Sequence, residues 1–422
     1  MVASPYRTSV LFAVSLLILL LVEAGPAAAN PAFARQYGIS CVVCHAAFPR
    51  LNSFGEQFMA DNIRLPNWRE QIGVDTGDDQ LMLPKFPPLA VRAQAYVTAR
   101  QAEAVDTSGN TLADPGTDFQ APYLVKLMSG TPLSDHISYY FYAILAEKGA
   151  NGETLVEDAW ISHDDLFGSG IGMMLGQFQV SDLMYPRETR LTAQDFLAYR
   201  MAGITYERGV LFDTEAGPAS LALGVVNGNG IEANERVNSG GYQRPDRAFD
   251  DNGSKSVFGR IGSEWGPVKF GAFSLVGKQR NLADTDDTRK RVFGVDISAN
   301  HGDKLFWFFQ YLQNHWYDFL ADGKQSEWCA GFIGIDYIYS DRWAFSALMN
   351  YAEANDMANT NTIYEGIDTS QFTATASYYF MRNVKGVLEL NVDFQGIDNN
   401  RHDGIGHDTK EGYALLGFDV AF

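Results

Sequence analysis

The chain has 422 residues, 46% hydrophobic and 13% aromatic, with 40 glycines, a mean hydropathy of −0.15 and a formal charge of −19. That charge argues against nucleic acid, whose binding needs basic patches. The hydropathy is too polar for a bundle of membrane helices but compatible with a β-barrel, in which only every second side chain meets lipid.

The first 29 residues read as a secretory signal peptide: Arg7 supplies the positive end, Ser9 to Val22 is an apolar run interrupted only by serines, and Ala27-Ala28-Ala29 offers small residues for cleavage. Arg7 and Glu23 cancel, so the mature chain, expected to begin near Asn30, keeps the full negative charge. No later stretch approaches the length of apolar run that a membrane helix needs.

Residues 30–88 form the next unit, and Cys41-Val42-Val43-Cys44-His45 dominates it. Two cysteines at this spacing followed directly by histidine are the attachment signature of a c-type haem: each sulfur can form a thioether to a haem vinyl group, and His45 then stands where its imidazole can bind the iron. One covalently attached haem c is therefore expected on Cys41, Cys44 and His45. A zinc site needs about four ligands, and the third cysteine, Cys329, lies far away in a strand-like segment. A redox dithiol should lie near a βαβ pattern, and none surrounds this one.

After the motif, Leu51, Phe54 and Phe58 recur at helical spacing behind Asn52 or Ser53 as a cap, predicting one short helix over a haem face. Pro84, Pro87 and Pro88 then mark a linker. A methionine or second histidine commonly completes an electron-transfer haem, methionine raising its potential. Met82, in the linker, is the preferred distal ligand; Met59, on the helix, and a lumen-facing barrel histidine are the alternatives, and Met59 is also read as a packing residue.

From Leu89 to Phe422 the period changes to two. Leu388, Leu390 and Val392 alternate with Glu389, Asn391 and Asp393, and Phe372, Ala374 and Ala376 with Thr373, Thr375 and Ser377. Glu264-Trp265-Gly266-Pro267, His301-Gly302-Asp303-Lys304 and Ser340-Asp341-Arg342 read as tight turns; residues 230–253, 281–289 and 396–410 read as long polar loops. Strand candidates of about ten residues joined by alternating short and long connections predict an antiparallel transmembrane barrel of about sixteen strands, porin-sized, with short periplasmic turns. The last strand ends on Phe422, as bacterial outer-membrane barrels do. An even strand count puts both barrel termini on the periplasmic side, so the haem segment is expected to occupy or cap the lumen from below.

Two acidic clusters fall in the expected external loops: Asp284, Asp286 and Asp287, and Asp398, His402, Asp403, His407 and Asp408. Their residue types suit divalent first-row metals, but neither has a recognised metal-loop spacing, and solvated loops explain them as well. Glu389 and Asp393 are expected to face the lumen and help draw cations inward.

The stretch Pro31 to Gly38 leading into the motif, continued by Ala46-Ala47-Phe48-Pro49-Arg50-Leu51-Asn52-Ser53-Phe54-Gly55, resembles the N-terminal signature of the fused monohaem cytochrome–porins of iron-oxidising bacteria. The resemblance covers about 30 residues around the haem motif and supports Cys41, Cys44 and His45 by position; over the barrel it rests on architecture alone. It implies electron transfer from extracellular Fe(II) to a periplasmic cytochrome or similar carrier, an iron-oxidase-like role in the outer membrane. The alternatives are a haem-capped porin for solute passage and outward delivery of electrons to an external acceptor.

Overall fold

A computed structural model describes residues 32–422 apart from 66–72, 79–80, 85–87, 106–110, 114–115, 148–153, 232–249, 251, 284, 321–322, 355–367, 382 and 395–407. The leader therefore lies outside the described residues, as do Asp284, Asp398, His402, Asp403 and His407.

The N-terminal segment carries helix α1 (Ala32–Tyr37), a 3-10 turn (Cys41–Val43), a small hairpin of β1 (His45–Ala47) and β2 (Arg50–Leu51), helix α2 (Ser53–Ala60), and a second two-stranded sheet of β3 (Gly73–Asp75) and β4 (Met82–Pro84). Asn52 caps α2, its side chain accepting the Gly55 N–H at 2.9 Å.

The remainder is a closed barrel of 16 antiparallel strands. They are β5 (Leu89–Val105), β7 (Gly116–Pro132), β8 (Ile137–Glu147), β9 (Leu155–His163), β10 (Gly172–Gln179), β11 (Tyr206–Ala216), β12 (Ala219–Val226), β13 (Ser256–Trp265), β14 (Val268–Arg280), β15 (Asp287–His301), β16 (Leu305–Tyr317), β17 (Gln325–Ile338), β18 (Trp343–Glu353), β19 (Thr369–Met381), β20 (Val384–Asp393) and β21 (Asp408–Ala421), with a short β6 (Thr111–Ala113) beside β5. Closure pairs β21 with β5, Tyr96 opposite Gly417, and Phe422 exchanges both backbone hydrogen bonds with Val91.

Alternation along the strands has the sense a membrane imposes. On β20, Leu388, Leu390 and Val392 are exposed while Glu389, Asn391 and Asp393 are buried inside. The same holds at Phe372 against Thr373 and Thr375, and at Ile333 and Ile335 against Asp336. Apolar side chains outward and polar ones inward are stable only when lipid is outside. At the short-turn end Trp265, Tyr339, Trp343 and Phe422 stand exposed, as in an interfacial aromatic girdle.

The tight turns expected at 264–267, 301–304 and 340–342 join consecutive strands at this end. Two loop estimates were too long: β14 and β15 pair as far as Arg280 and Asp287, and β21 begins at Asp408. Hydrogen bonding between strands extends ordered pairing into residues whose polarity resembles a loop's.

Between β10 and β11 the chain folds into the barrel instead of away from it. Residues 180–205 form two 3-10 turns (Val180–Leu183 and Arg187–Thr189) and helix α3 (Leu197–Met201). Phe196 stacks on Phe332 (4.2 Å between centroids, 10°), and Tyr185 on Phe308 (4.2 Å, 18°). With Tyr199, Leu312, Trp316 and Trp328 these rings form a buried apolar core on the β15–β18 side of the lumen.

Candidate functional site

The Cys41–Val43 turn closes with the Cys44 N–H donating to the Cys41 carbonyl at 3.2 Å. A single tight turn thus sets both thiols side by side, and burial followed by the neighbouring Cys41 pushes the Cys44 thiol upward. Neither cysteine is in a disulfide, and both are partly exposed.

His45 follows at the start of β1, its Nδ1 3.1 Å from the Pro49 carbonyl oxygen. Hydrogen donation from Nδ1 to that carbonyl leaves Nε2 with the lone pair, the arrangement found in metal-ligating histidines. Burial pushes its pKa down to about 4, the cations Arg92 and Lys385 adding to the effect against the hydrogen bond to Pro49. The imidazole is therefore neutral and able to ligate at ordinary pH.

Helix α2 packs directly on this turn. A Cβ at Gly55 would lie 2.1 Å from the Cys44 carbonyl oxygen, so only glycine permits the approach. The Asn52 amide holds the turn from the same side, donating to the Val43 carbonyl at 3.0 Å. Around the motif, Val42, Val43, Phe54 and Met59 are exposed. Apolar side chains left open on the motif and on the helix packed against it fit a flat, apolar, covalently held ring, which would cover such surface.

Sequence spacing puts Phe54 and Phe58 on one face of α2, with Met59 next to Phe58. Phe58 alone is buried, in edge contact with Phe33 and Tyr37 at 5.4 and 5.6 Å, whereas Met59 and Phe54 face outward. An eight-residue helix buries only a narrow stripe, and α1 takes it. Met82 lies on β4, its backbone opposite Asp75.

The segment spans the short-turn mouth of the barrel. The Ser53 N–H and hydroxyl donate to Asp303 Oδ1 at 3.0 and 2.9 Å. Lys269 meets Glu56 at 2.7 Å, Arg64 meets Asp164 at 2.8 Å, and the Gln36 amide donates to Thr131 Oγ1 at 2.7 Å. These anchors sit on opposite sides of the wall.

From this ring of contacts the β1–β2 hairpin projects into the lumen. The Tyr379 hydroxyl and the Lys385 ammonium donate to the Phe48 carbonyl at 2.8 and 2.9 Å, and Arg92 lies over the Phe48 ring at 5.1 Å. Arg50 forms a buried ion pair with Asp336 and lies over Tyr185, Phe306 and Phe308 at 5.2, 5.4 and 5.6 Å. Hairpin and inward loop therefore touch, one above the other.

Glu389 and Asp393 do face inward, but Glu389 is not left to attract ions. It accepts hydrogen bonds from Ala193 N, Gln194 N, Thr375 and Tyr413 and so ties the inward loop to the wall. Asp287 lies in β15 and pairs with Arg280 at 3.3 Å. Among the described residues no group of three or more histidine, cysteine or carboxylate side chains is arranged to hold a metal ion.

The inward loop carries a cluster of charged side chains that sequence reasoning did not single out. On the β5–β9 side, opposite the aromatic core, it bounds a cavity of about 100 Å³ with Arg187, Glu188, Arg190, Asp195 and Arg200, facing Arg92, Lys126 and Glu157 of the wall. The only sequence signal is three arginines between 187 and 200, which read equally well as an exposed polar loop.

Among solved structures the chain is similar to the outer membrane channel DcaP of Acinetobacter baumannii (14% identity over 79% of this chain and 96% of that one, TM-score 0.54). It is similar also to an anion-selective porin from Comamonas acidovorans (13% identity, 79% and 98% covered, TM-score 0.53), and to Salmonella typhi OmpF in complex with daunomycin (10% identity, 79% and 97% covered, TM-score 0.53). No family model and no curated protein matches the chain. At these identities the likeness is one of fold: the chain is built on the 16-stranded barrel of the bacterial outer-membrane porins.

Proposed function

We propose that this chain is an outer-membrane electron-transfer protein in which Cys41 and Cys44 would hold one c-type haem and His45 would bind its iron. In this reading one electron would pass from an external donor, most simply Fe(II), to a soluble periplasmic carrier, with Cys41, Cys44 and His45 holding the group that would supply the one-electron chemistry. The observation that carries it is positional: the Cys-X-X-Cys-His turn belongs to a segment hydrogen-bonded around the mouth of the barrel, with the His45 Nδ1 held by the Pro49 carbonyl.

When bound, the haem supplies the one-electron chemistry. The chain's own residues do the rest. Cys41 and Cys44 fix the ring covalently, and His45 presents Nε2. Asn52 and Gly55 brace the turn, and the Phe48–Arg50 hairpin sets the segment against the wall. The aromatic core on one side of the inward loop fills that side of the lumen with apolar side chains. No side chain need move a proton, because one electron crosses without bond making.

The direct test is chemical. Expression with a haem-attachment system should yield a protein whose haem stays covalently bound after denaturation and shows the c-type pyridine haemochrome band. Loss of covalent haem in Cys44→Ala supports the assignment; no covalent haem in the wild type would refute it.

A second reading, a haem-capped porin, is favoured by the charged cavity beside the inward loop. Conductance in a planar bilayer separates the two: a closed barrel fits the conduit, a wide steady pore the porin. The midpoint potential bears on direction, a strongly negative value favouring outward delivery to an external acceptor.

A further inference from the structure

We propose that the cavity between the inward loop and the β5–β9 wall is a binding site for a small free anion bearing carboxylate or phosphate groups. The site is independent of the haem reading and rests on which charges in the lumen are already paired.

Five cations line the cavity (Arg92, Lys126, Arg187, Arg190 and Arg200) against three carboxylates (Glu157, Glu188 and Asp195). Three of the cations are committed. Arg92 makes a two-pronged contact with Asp419 at 3.0 and 2.8 Å, Lys126 meets Glu188 at 2.7 Å, and Arg187 meets Asp195 at 2.8 and 2.6 Å. Glu157 is taken by the Tyr206 hydroxyl at 2.8 Å.

Arg190 and Arg200 are left over. Each reaches only Asp195, at 3.7 and 3.8 Å, and that carboxylate is already filled by Arg187 and by the Phe196 N–H at 2.8 Å. Arg190 donates from Nη1 to the Arg187 carbonyl at 2.9 Å, but its Nε is buried with no hydrogen-bond partner among the described residues. A buried donor without an acceptor is costly. Arg200 is largely exposed and screened by water, so the deficit falls on Arg190, whose other neighbouring carboxylate, Glu188, is already engaged by Lys126.

The chemistry of the missing partner follows. Guanidinium is a planar fork that matches a carboxylate or phosphate through two parallel hydrogen bonds. Cations are disfavoured by the local excess of positive charge. The cavity, about 100 Å³, suits a compact anion such as a phosphate or a small carboxylate.

The test uses the purified haem-carrying protein in detergent at low ionic strength, titrated with citrate and, separately, with inorganic phosphate by calorimetry. Saturable binding of either, weakened at least about tenfold in Arg190→Gln and in Arg200→Gln, is expected. Lys269→Gln, at the rim of the barrel, should leave it unchanged. Each variant is first checked for folding by its heat-dependent mobility on a gel. Absence of binding to the wild type at millimolar concentrations, or equal binding by the arginine variants, would overturn the proposal. Citrate binding to the haem-free Cys41→Ala/Cys44→Ala protein but not to the haem-carrying one would also overturn it, assigning the site to the haem's own propionates.

Discussion

Arg50 Nε donates to Asp336 Oδ2 at 2.8 Å, joining the hairpin that follows the cysteine–histidine motif to the inner wall of the barrel. The two residues stand 286 positions apart in sequence, and their side chains are 4% and 1% exposed. A buried pair of this kind adds little net stability, but loss of one partner strands a charge at a cost of about 3–5 kcal/mol. Asp336→Ala is therefore expected to loosen the N-terminal segment, raising its cleavage by protease and the conductance of the barrel. Arg50→Met combined with Asp336→Leu should restore much of the protection. Unchanged proteolysis in Asp336→Ala would show that the other anchors suffice.

The inward loop is held by aromatic packing. Phe196 is fully buried between Phe308 and Phe332. Phe196→Ala removes both contacts at a cost of about 3–5 kcal/mol and should let the loop leave the wall. The expected result is higher and noisier single-channel conductance, with a lower temperature for the heat-dependent gel shift. Wild-type values for both would mean that Glu389 and Asn350 hold the loop without it.

Asp182 lies in the same loop and accepts the Arg187 N–H at 3.1 Å. Burial raises its pKa from 3.8 to about 7, the nearby Glu188 carboxylate adding to the effect. Between those values the folded protein holds a proton that the unfolded chain has released. The stabilising contribution is therefore complete below 3.8 and lost as pH rises through about 7. Asp182→Asn keeps the acceptor and cannot ionise. It should match the wild type near pH 4 and melt at a higher temperature near pH 8. Parallel pH profiles would contradict this.

The distal haem ligand is testable by substitution. Met82→Ala is expected to change the haem spectrum and lower the midpoint potential, while Met59→Ala leaves both unchanged. An unaltered spectrum in Met82→Ala removes Met82 and turns attention to Met59 and the barrel histidines.

Much of the architecture was legible in sequence because a lipid-facing strand with a polar lumen has a period-two signature. Leu388 to Asp393 shows it, and His301 to Lys304 punctuates it. The signature fails where the barrel interior is itself apolar. On β16, Phe306, Phe308, Leu312 and Trp316 face inward while Phe309 and Tyr311 face lipid, so both faces are hydrophobic and alternation disappears. Their partners, Tyr185, Phe196 and Tyr199, sit in a segment that reads as an ordinary polar loop, and nothing local says that it turns inward. The motif at Cys41–His45 was readable because attachment chemistry fixes residue type and spacing. The Arg50–Asp336 pair was not, since it exists only once the barrel has closed.

The central claim is that electrons enter through a haem held at the lumen. The most direct measurement is anaerobic: outer membranes containing the haem-loaded protein are oxidised, Fe(II) is added, and the reduced c-type band is followed. The account predicts rapid reduction in the wild type and its loss in Cys44→Ala and His45→Ala. A haem that dithionite reduces but Fe(II) does not would contradict Fe(II) as donor and leave only the haem-bearing barrel.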